Sequence, residues 1–299
     1  MKKLLTITII LAFISFCSTA QTSSAREKVS KNLQSTINTM SKKEKAIAFI
    51  NALSNQDEAA IKQLTSEDLI QHNPSVPNGR DVIINVVFPL LKDAGTHGEV
   101  IRVIEDGDFV VMHNHWTNAS PFGGDDLVAF DIYRFDKDGK IAEHWDALQP
   151  WVEETVSGRS QIDGTVVIDD LDKTDANKVL AKSMVEDILM GKNPNKITDY
   201  ISSQQYNQHN PGIKDGLAGI IEAVEYLTSQ NNMFKYTKIH KVLGEGNFVL
   251  TISEGEWSGK TQVFYDLLRF ENGKAVEHWD VIQAIPTEGL ANNNGMFGF

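Results

Sequence analysis

Three constellations in this chain have the residue types for acid–base chemistry, and each occurs twice. Asp131 lies in Phe130-Asp131-Ile132-Tyr133-Arg134-Phe135 and Asp266 in Tyr265-Asp266-Leu267-Leu268-Arg269-Phe270. His144 and Asp146 flank Trp145, as His278 and Asp280 flank Trp279. His72 and Asn73 precede Pro74, and His209 and Asn210 precede Pro211. A carboxylate and an imidazole whose proton affinities are pushed apart by an apolar cavity are what general acid–base catalysis needs.

Strand alternation sorts these side chains onto faces. His113 and His115 share a face with Phe109 and Val111, Asp131 shares one with Ala129, Tyr133 and Phe135, and His144 shares one with Asp146 and Leu148. If those faces are concave, one pocket collects them all. Asp131 is then the acid/base, His144 its partner, and His72 and His115 donors to a carbonyl, with Asn73, His113, Tyr133 and Asp146 against the substrate. Asp266, His278 and His209 repeat three of those roles in the second half, beside Asn210 and Asp280. His113 and His115 have no counterpart there, because Ser253, Glu254 and Glu256 occupy that stretch.

Plainer readings stand beside these. His72 and His209 could hydrogen-bond loop carbonyls in the turn before proline. His144 and Asp146 could simply fix one another. Asp131 could pair with Arg134, but three residues along a strand put that arginine on the opposite face. A carboxylate inside an apolar strand is costly to bury unless paired or protonated, which favours a role in chemistry. Trp145 and Trp279 fall on the other face and read as core or interface. His113-x-His115 with His144 and Asp131 has the ligand types for zinc or iron, but the second half lacks the His-x-His, and the reading adopted uses no metal and no cofactor.

The elements that must position these residues are legible from periodicity. Ala46, Phe49, Ile50 and Leu53 recur at helical spacing after Ser41, and further helices are expected over 57–64 and 80–93. The period then changes to two over 100–104, 109–116, 127–135 and 141–148, with Asp106-Gly107 and Asp138-Gly139 as turn signals. The order repeats as helices over 175–190, 195–201 and 217–231 and strands near 234–243, 247–254, 261–270 and 274–283. The matching motifs keep their order at an offset of roughly 135 residues, the scale of a duplicated domain and not of a short repeat. The expectation is an α+β fold: two cone-like domains, each of three helices packed on a curved antiparallel sheet.

Residues 1–20 read as a secretory signal, with Lys2 and Lys3, an apolar run, and Ser18-Thr19-Ala20 before Gln21. This implies a secreted or periplasmic protein. Cys17, the only cysteine, leaves with the signal, so no disulfide or thiol chemistry is expected. Residues 21–41 read as a flexible lead-in, 42–158 as the first domain, 159–173 as a linker draped over a domain, and 174–299 as the second domain. The aromatics of the terminal Met296-Phe297-Gly298-Phe299 should dock on the protein. A net charge of −12 without a basic stripe argues against nucleic acid and anionic membranes as partners. With 41% hydrophobic residues each half can bury its own core.

At these motifs the chain resembles the SnoaL-like branch of the NTF2-like superfamily, named for polyketide cyclases. The matching elements are Gln-His-Asn-Pro, Gly79 or Gly216, Gly-Asp/Asn-Phe-Val, Asp-x-x-Arg-Phe, and Gly-Lys-x-x-Glu-His-Trp-Asp. The resemblance implies a pocket between helices and sheet, in which Asp131 and Asp266 occupy the acid/base position of the cyclases. The related ketosteroid isomerases carry an Asp before the turn proline and a Tyr on the first helix. Asn73, Asn210 and Phe49 stand there instead, which argues against steroid isomerisation. The partner implied is a small hydrophobic, carbonyl-bearing molecule, either transformed or only bound. The superfamily's pairing through convex sheet faces implies domains that pair within the chain or in a homodimer.

Overall fold

The computed structural model describes residues 32–299. The expected signal segment, 1–20, lies outside the described residues. Residues 32–39 form a helix, α1, within the unit Met1–Ser41, where composition predicts a flexible lead-in. The second unit spans Lys42–Phe299.

Each half of this unit begins with helices. α2 (Lys42–Asn55) buries Ala46, Phe49 and Ile50, the stripe its spacing predicts. α3 (Glu58–Leu64) starts where the Asp57 carboxylate accepts from the Ala60 amide at 3.0 Å, satisfying one of the helix's free donors. A longer helical stretch follows, made of α4 (Arg80–Val82), a π-turn (Ile83–Val87) and α5 (Phe88–Ala94). It stops at Gly95, whose φ of 71° is the left-handed cap that glycine adopts without strain. The second half repeats this with α6 (Thr174–Met184) running into a π-turn (Val185–Leu189), then α7 (Ile197–Tyr200) and α8 (Gly216–Ser229).

The strands form two five-stranded sheets. β2 (His97–Asp106), β3 (Phe109–Thr117), β4 (Leu127–Phe135) and β5 (Ile141–Pro150) make an antiparallel meander, as do β7 (Lys235–Glu245), β8 (Phe248–Trp257), β9 (Lys260–Glu271) and β10 (Lys274–Ala284). Both sheets are nonetheless mixed, which corrects the expected antiparallel arrangement. β1 (Thr65–Gln71) lies parallel to β5, and β6 (Asn207–Gln208) parallel to β10. β1 is mostly polar and β6 has only two residues, so neither carries an apolar period that sequence could reveal. The fold is α+β, with two mixed sheets and helices over one face of each.

The other faces of the two sheets bury one another. Phe130, Ile132, Trp145 and Ala147 share one core with Leu250, Ile252, Tyr265, Leu267, Trp279 and Val281. Gln283 Oε1 accepts from the Leu148 amide at 2.9 Å, and Gln149 Oε1 from the Ile282 amide at 3.1 Å, so each half closes a strand of the other. The two sheets therefore pack face to face within the chain. Among the described residues no helix is long and apolar enough to cross a membrane.

The segments after each half are exchanged. Following β5, Val156 donates to the Pro211 carbonyl at 3.0 Å, Ser157 Oγ to the Gln208 carbonyl at 2.8 Å, and the Ser160 carbonyl accepts from His209 Nδ1 at 2.7 Å. Following β10, Ala291 donates to the Pro74 carbonyl at 2.8 Å, and Asn294 Nδ2 to the Gln71 carbonyl at 2.8 Å. The terminal aromatics dock as expected: Phe297 stacks on His240 and Phe299 on Trp145.

Because the core is common to both sheets, damage to it destabilises both halves. Leu250→Ala removes a fully buried side chain and is expected to cost about 2–5 kcal/mol. Urea unfolding should show one transition, shifted as a whole; a transition split into one perturbed and one unperturbed step contradicts a shared core.

Candidate functional site

Register brings the acid–base residues together. Asp131 on β4 lies directly opposite Asp146 on β5, and Tyr133 opposite His144. The second half repeats the arrangement, with Asp266 opposite Asp280 and Leu268 opposite His278. The imidazole of His144 then reaches diagonally to Asp131, Nε2 to Oδ1, at 2.9 Å, and His278 reaches Asp266 at 3.2 Å. The other ring nitrogen faces a glutamine: His144 Nδ1 is 2.8 Å from Gln71 Oε1, and His278 Nδ1 is 2.8 Å from Gln208 Oε1. Gln208 Oε1 also accepts from the Asn210 amide, which marks it as an oxygen. A carbonyl oxygen can only accept, so Nδ1 carries a proton and Nε2 shares its own with the aspartate.

Two carboxylates directly opposed on one buried face cannot both ionise easily. Burial, with the nearby charge of Asp131, raises Asp146 to about 6, against the opposing pull of His144 and the Asn73 hydrogen bond. Asp280 is raised for the same reasons. Burial alone would depress His144, but the Asp131 hydrogen bond and the charges of Asp146 and Asp131 outweigh it, and it stays above the usual imidazole value. His278 behaves likewise with Asp266 and Asp280. Asn73 Nδ2 donates to Asp146 Oδ2 at 2.8 Å, and Asn210 Nδ2 to Asp280 Oδ2 at 2.6 Å. The asparagine before proline is therefore the brace of the second carboxylate.

Four histidines expected in the pocket lie elsewhere. Met112, not His113, is the residue opposite Asp131, so Met112, Asn114 and Trp116 face the helices and His113 and His115 face away. His113 stacks on Phe130 and meets Arg102 Nη1 at 3.2 Å, while His115 packs against Trp151. No metal can join either of them to His144. Gln71 turns into the pocket at the end of β1, so His72 turns out. It stacks on Trp145 at 4.3 Å and donates to the Gly295 carbonyl. His209 does the same against Trp279 and Ser160. All four are core or turn residues, without access to the cavity.

Two groups with no place in the expected set complete the sites. Asn114 Nδ2 donates to Asp131 Oδ2 at 2.7 Å, and Tyr236 Oη donates to Asp266, 3.1 Å from each carboxylate oxygen. Tyr236 stands where bulk has been exchanged across a strand pair. Gly98 lies opposite Trp116 in the first half, whereas Tyr236 lies opposite Gly255 in the second. Burial first, then the charges of Asp266 and Asp280, hold the Tyr236 phenol well above its usual value, so it remains a donor.

The cavities differ in size. In the second half a cavity of about 240 Å³ lies beneath α8, walled by Met184, Ile188, Ile220, Leu227, Phe234 and Trp257, and lined also by Asp266, His278, Asp280 and Tyr236. In the first half only about 60 Å³ remains around Asp131, Tyr133, His144 and Asp146. Phe49 meets Tyr133 edge-on at 5.2 Å, and Trp116 and Phe122 fill the rest. Unequal chemistry between the halves was expected from His113 and His115; the inequality observed is one of space, and it favours the second half.

Each triad, Asp131–His144–Asp146 and Asp266–His278–Asp280, offers ligand atoms within 4.8 Å of one another. Two carboxylates and an imidazole suit a divalent cation by type. To bind one, Nε2 and the aspartate oxygen now hydrogen-bonded together would have to turn apart.

The raised Asp146 makes a signed prediction. Its folded form holds a proton more tightly than the unfolded chain does, so its contribution to stability is present below the ordinary carboxylate range and is lost as pH rises through about 6. Asp146→Asn removes that loss, and its Tm relative to the parent protein should improve between about pH 4 and about pH 7. Parallel Tm curves over that range would contradict the assignment.

Residues 46–144, which carry Asp131 and His144, match the family model of the SnoaL-like domain. No curated protein matches the chain. Among solved structures, IdmH, a candidate polyketide cyclase from Streptomyces antibioticus, is 16% identical over 37% of this chain and 93% of its own, with a TM-score of 0.32. A SnoaL-like protein of unknown function from Burkholderia thailandensis is 14% identical over 36% of this chain and 94% of its own (TM-score 0.32). A candidate isomerase of the SnoaL-like family from Agrobacterium tumefaciens is 16% identical over 37% and 100% (TM-score 0.32). The family match therefore lies in the first half, where residues 46–144 are similar to the SnoaL-like domain.

Proposed function

We propose that the protein is a secreted tandem of two SnoaL-like cones of the NTF2-like fold, over 42–158 and 174–299, that acts on a small apolar carbonyl compound without a cofactor. The second half is the working one. The observation that carries this reading is its largely apolar cavity of about 240 Å³, on which Asp266, His278, Asp280 and Tyr236 converge. Such a site holds the apolar body of a ligand and orients one oxygen.

In this reading Asp266 is the base that takes a proton from the carbon beside the carbonyl. Tyr236 and the protonated His278 donate hydrogen bonds to the oxygen where negative charge develops, as a low-dielectric site requires. Burial and the nearby charge of Asp266 raise the proton affinity of Asp280, which weakens its opposition to a developing enolate. Asp131 and His144 repeat the pair in a smaller space. A second reading, binding without turnover, is favoured by one feature: Asp266 is already bonded to both Tyr236 and His278.

Deuterium uptake into 2-tetralone in D2O separates the two readings. An enzyme exchanges the protons beside the carbonyl, and Asp266→Asn should cut the rate roughly 10²–10⁴-fold while affinity for 2-naphthol changes little. Tyr236→Phe should lower it roughly 10²-fold with the pH profile preserved. No exchange above the buffer rate, together with tight 2-naphthol binding, would leave the binding reading.

A further inference from the structure

The first half contains two cavities that share one wall. The inner cavity, about 60 Å³, ends on Asp131 and His144. The outer one, about 330 Å³, opens beside Val86, Leu90 and Pro121. Asn73, Val76, Val87, Phe122 and Leu148 line both. Val87 stands on the helical stretch and Leu148 on β5, and Asn73 and Val76 stand on the proline turn, where their carbonyls accept from Asn292 Nδ2 at 2.7 and 2.9 Å; Phe122 stands on the connection between β3 and β4.

That loop, residues 118–126, joins β3 to β4 and has no counterpart in the second half, where Ser258 and Gly259 alone join β8 to β9. Its ends are anchored: Thr96 Oγ1 donates to the Asn118 carbonyl at 2.7 Å, and the Trp151 amide to the Asp126 carbonyl at 3.0 Å. Phe122 packs on Trp116 at 6.0 Å, but the backbone hydrogen bonds of the tip stay within the loop. The Ala119 amide donates to Asp125, Phe122 to Ala119, and Gly123 to Ser120. Gly123, at a φ of 100°, ends the short 3-10 turn Ser120–Phe122 in a conformation that side chains resist. The tip can therefore move as a unit without breaking a backbone hydrogen bond to the rest of the protein. Where the loop is missing, the corresponding space is one continuous cavity reaching the acid–base residues.

We propose that the first half holds a second ligand site, closed by the Phe122 ring, which opens when the tip of loop 118–126 swings outward and joins the inner and outer cavities. Its ligand is an apolar compound bearing one hydrogen-bonding oxygen, with the oxygen toward Asn73 and Asp146 and the apolar body in the outer cavity. The ligand class rests on the function proposed above; the gate rests on the shared wall.

The test uses the full chain and 2-naphthol, titrated by fluorescence. Ala223→Trp fills the second-half cavity and isolates the first half. In that background Phe122→Ala, or Phe122→Leu where alanine impairs folding, should raise affinity at least about tenfold, because the ligand no longer has to displace the ring. Adding Val86→Trp, which blocks the outer cavity, should abolish the gain. Unchanged affinity on removing Phe122, or a gain that survives Val86→Trp, with Tm confirming a folded protein, overturns the gate. If the unmodified protein binds nothing but Ala223→Trp/Phe122→Ala binds one naphthol per chain, the gate stands and the second-half reading falls.

Discussion

The burial of one sheet against the other is the constraint from which the rest follows. Once the faces of both sheets turned away from the helices are committed to a common core around Trp145 and Trp279, the central strands β4 and β9 are covered on both sides. The acid–base groups that reach a cavity then collect on the face beneath the helices. The same commitment decides the fate of His72, His113 and His209. They sit on the shared-core side, where stacking on Trp145, Phe130 and Trp279 and bonds to backbone or charged neighbours make them structural.

Within the helix-facing space, a three-residue motif is used twice with different neighbours. Aspartate, histidine and aspartate hold the same register in both halves, with the same glutamine and asparagine behind them. What differs is the group that supports the first aspartate, an amide in one half and a phenol in the other, and the amount of room left for anything else. A donor amide from Asn114 belongs to a filled pocket; a donor phenol from Tyr236 is itself part of the wall of an open one.

Sequence made the acid–base pairs legible because alternation and motif repetition agreed: Asp131, His144 and Asp146 must share a face if β4 and β5 are adjacent. It misplaced His113 and His115 because β3 is buried on both sides. Val110, Val111 and Met112 are equally apolar, so nothing in the pattern sets the phase of the strand. Asn114 was open to the argument that singled out Asp131, since a buried amide also demands a partner. Tyr236 was not, because its positional equivalent is Gly98 and no repeat points to it. β1 and β6 were invisible for lack of apolar period, and pocket size depends on a loop and two aromatic side chains whose contacts are all long-range.

The exchanged segments behind the two proline turns give the molecule a closed circuit of dependence. The stretch that follows the first half holds the turn carrying Gln208 and Asn210, and the stretch that ends the chain holds the turn carrying Gln71 and Asn73. Each half is finished by residues encoded after the other. A change in the last ten residues is thus felt at the glutamine that fixes the His144 tautomer, and the two halves are not free to drift apart independently, however different their cavities have become.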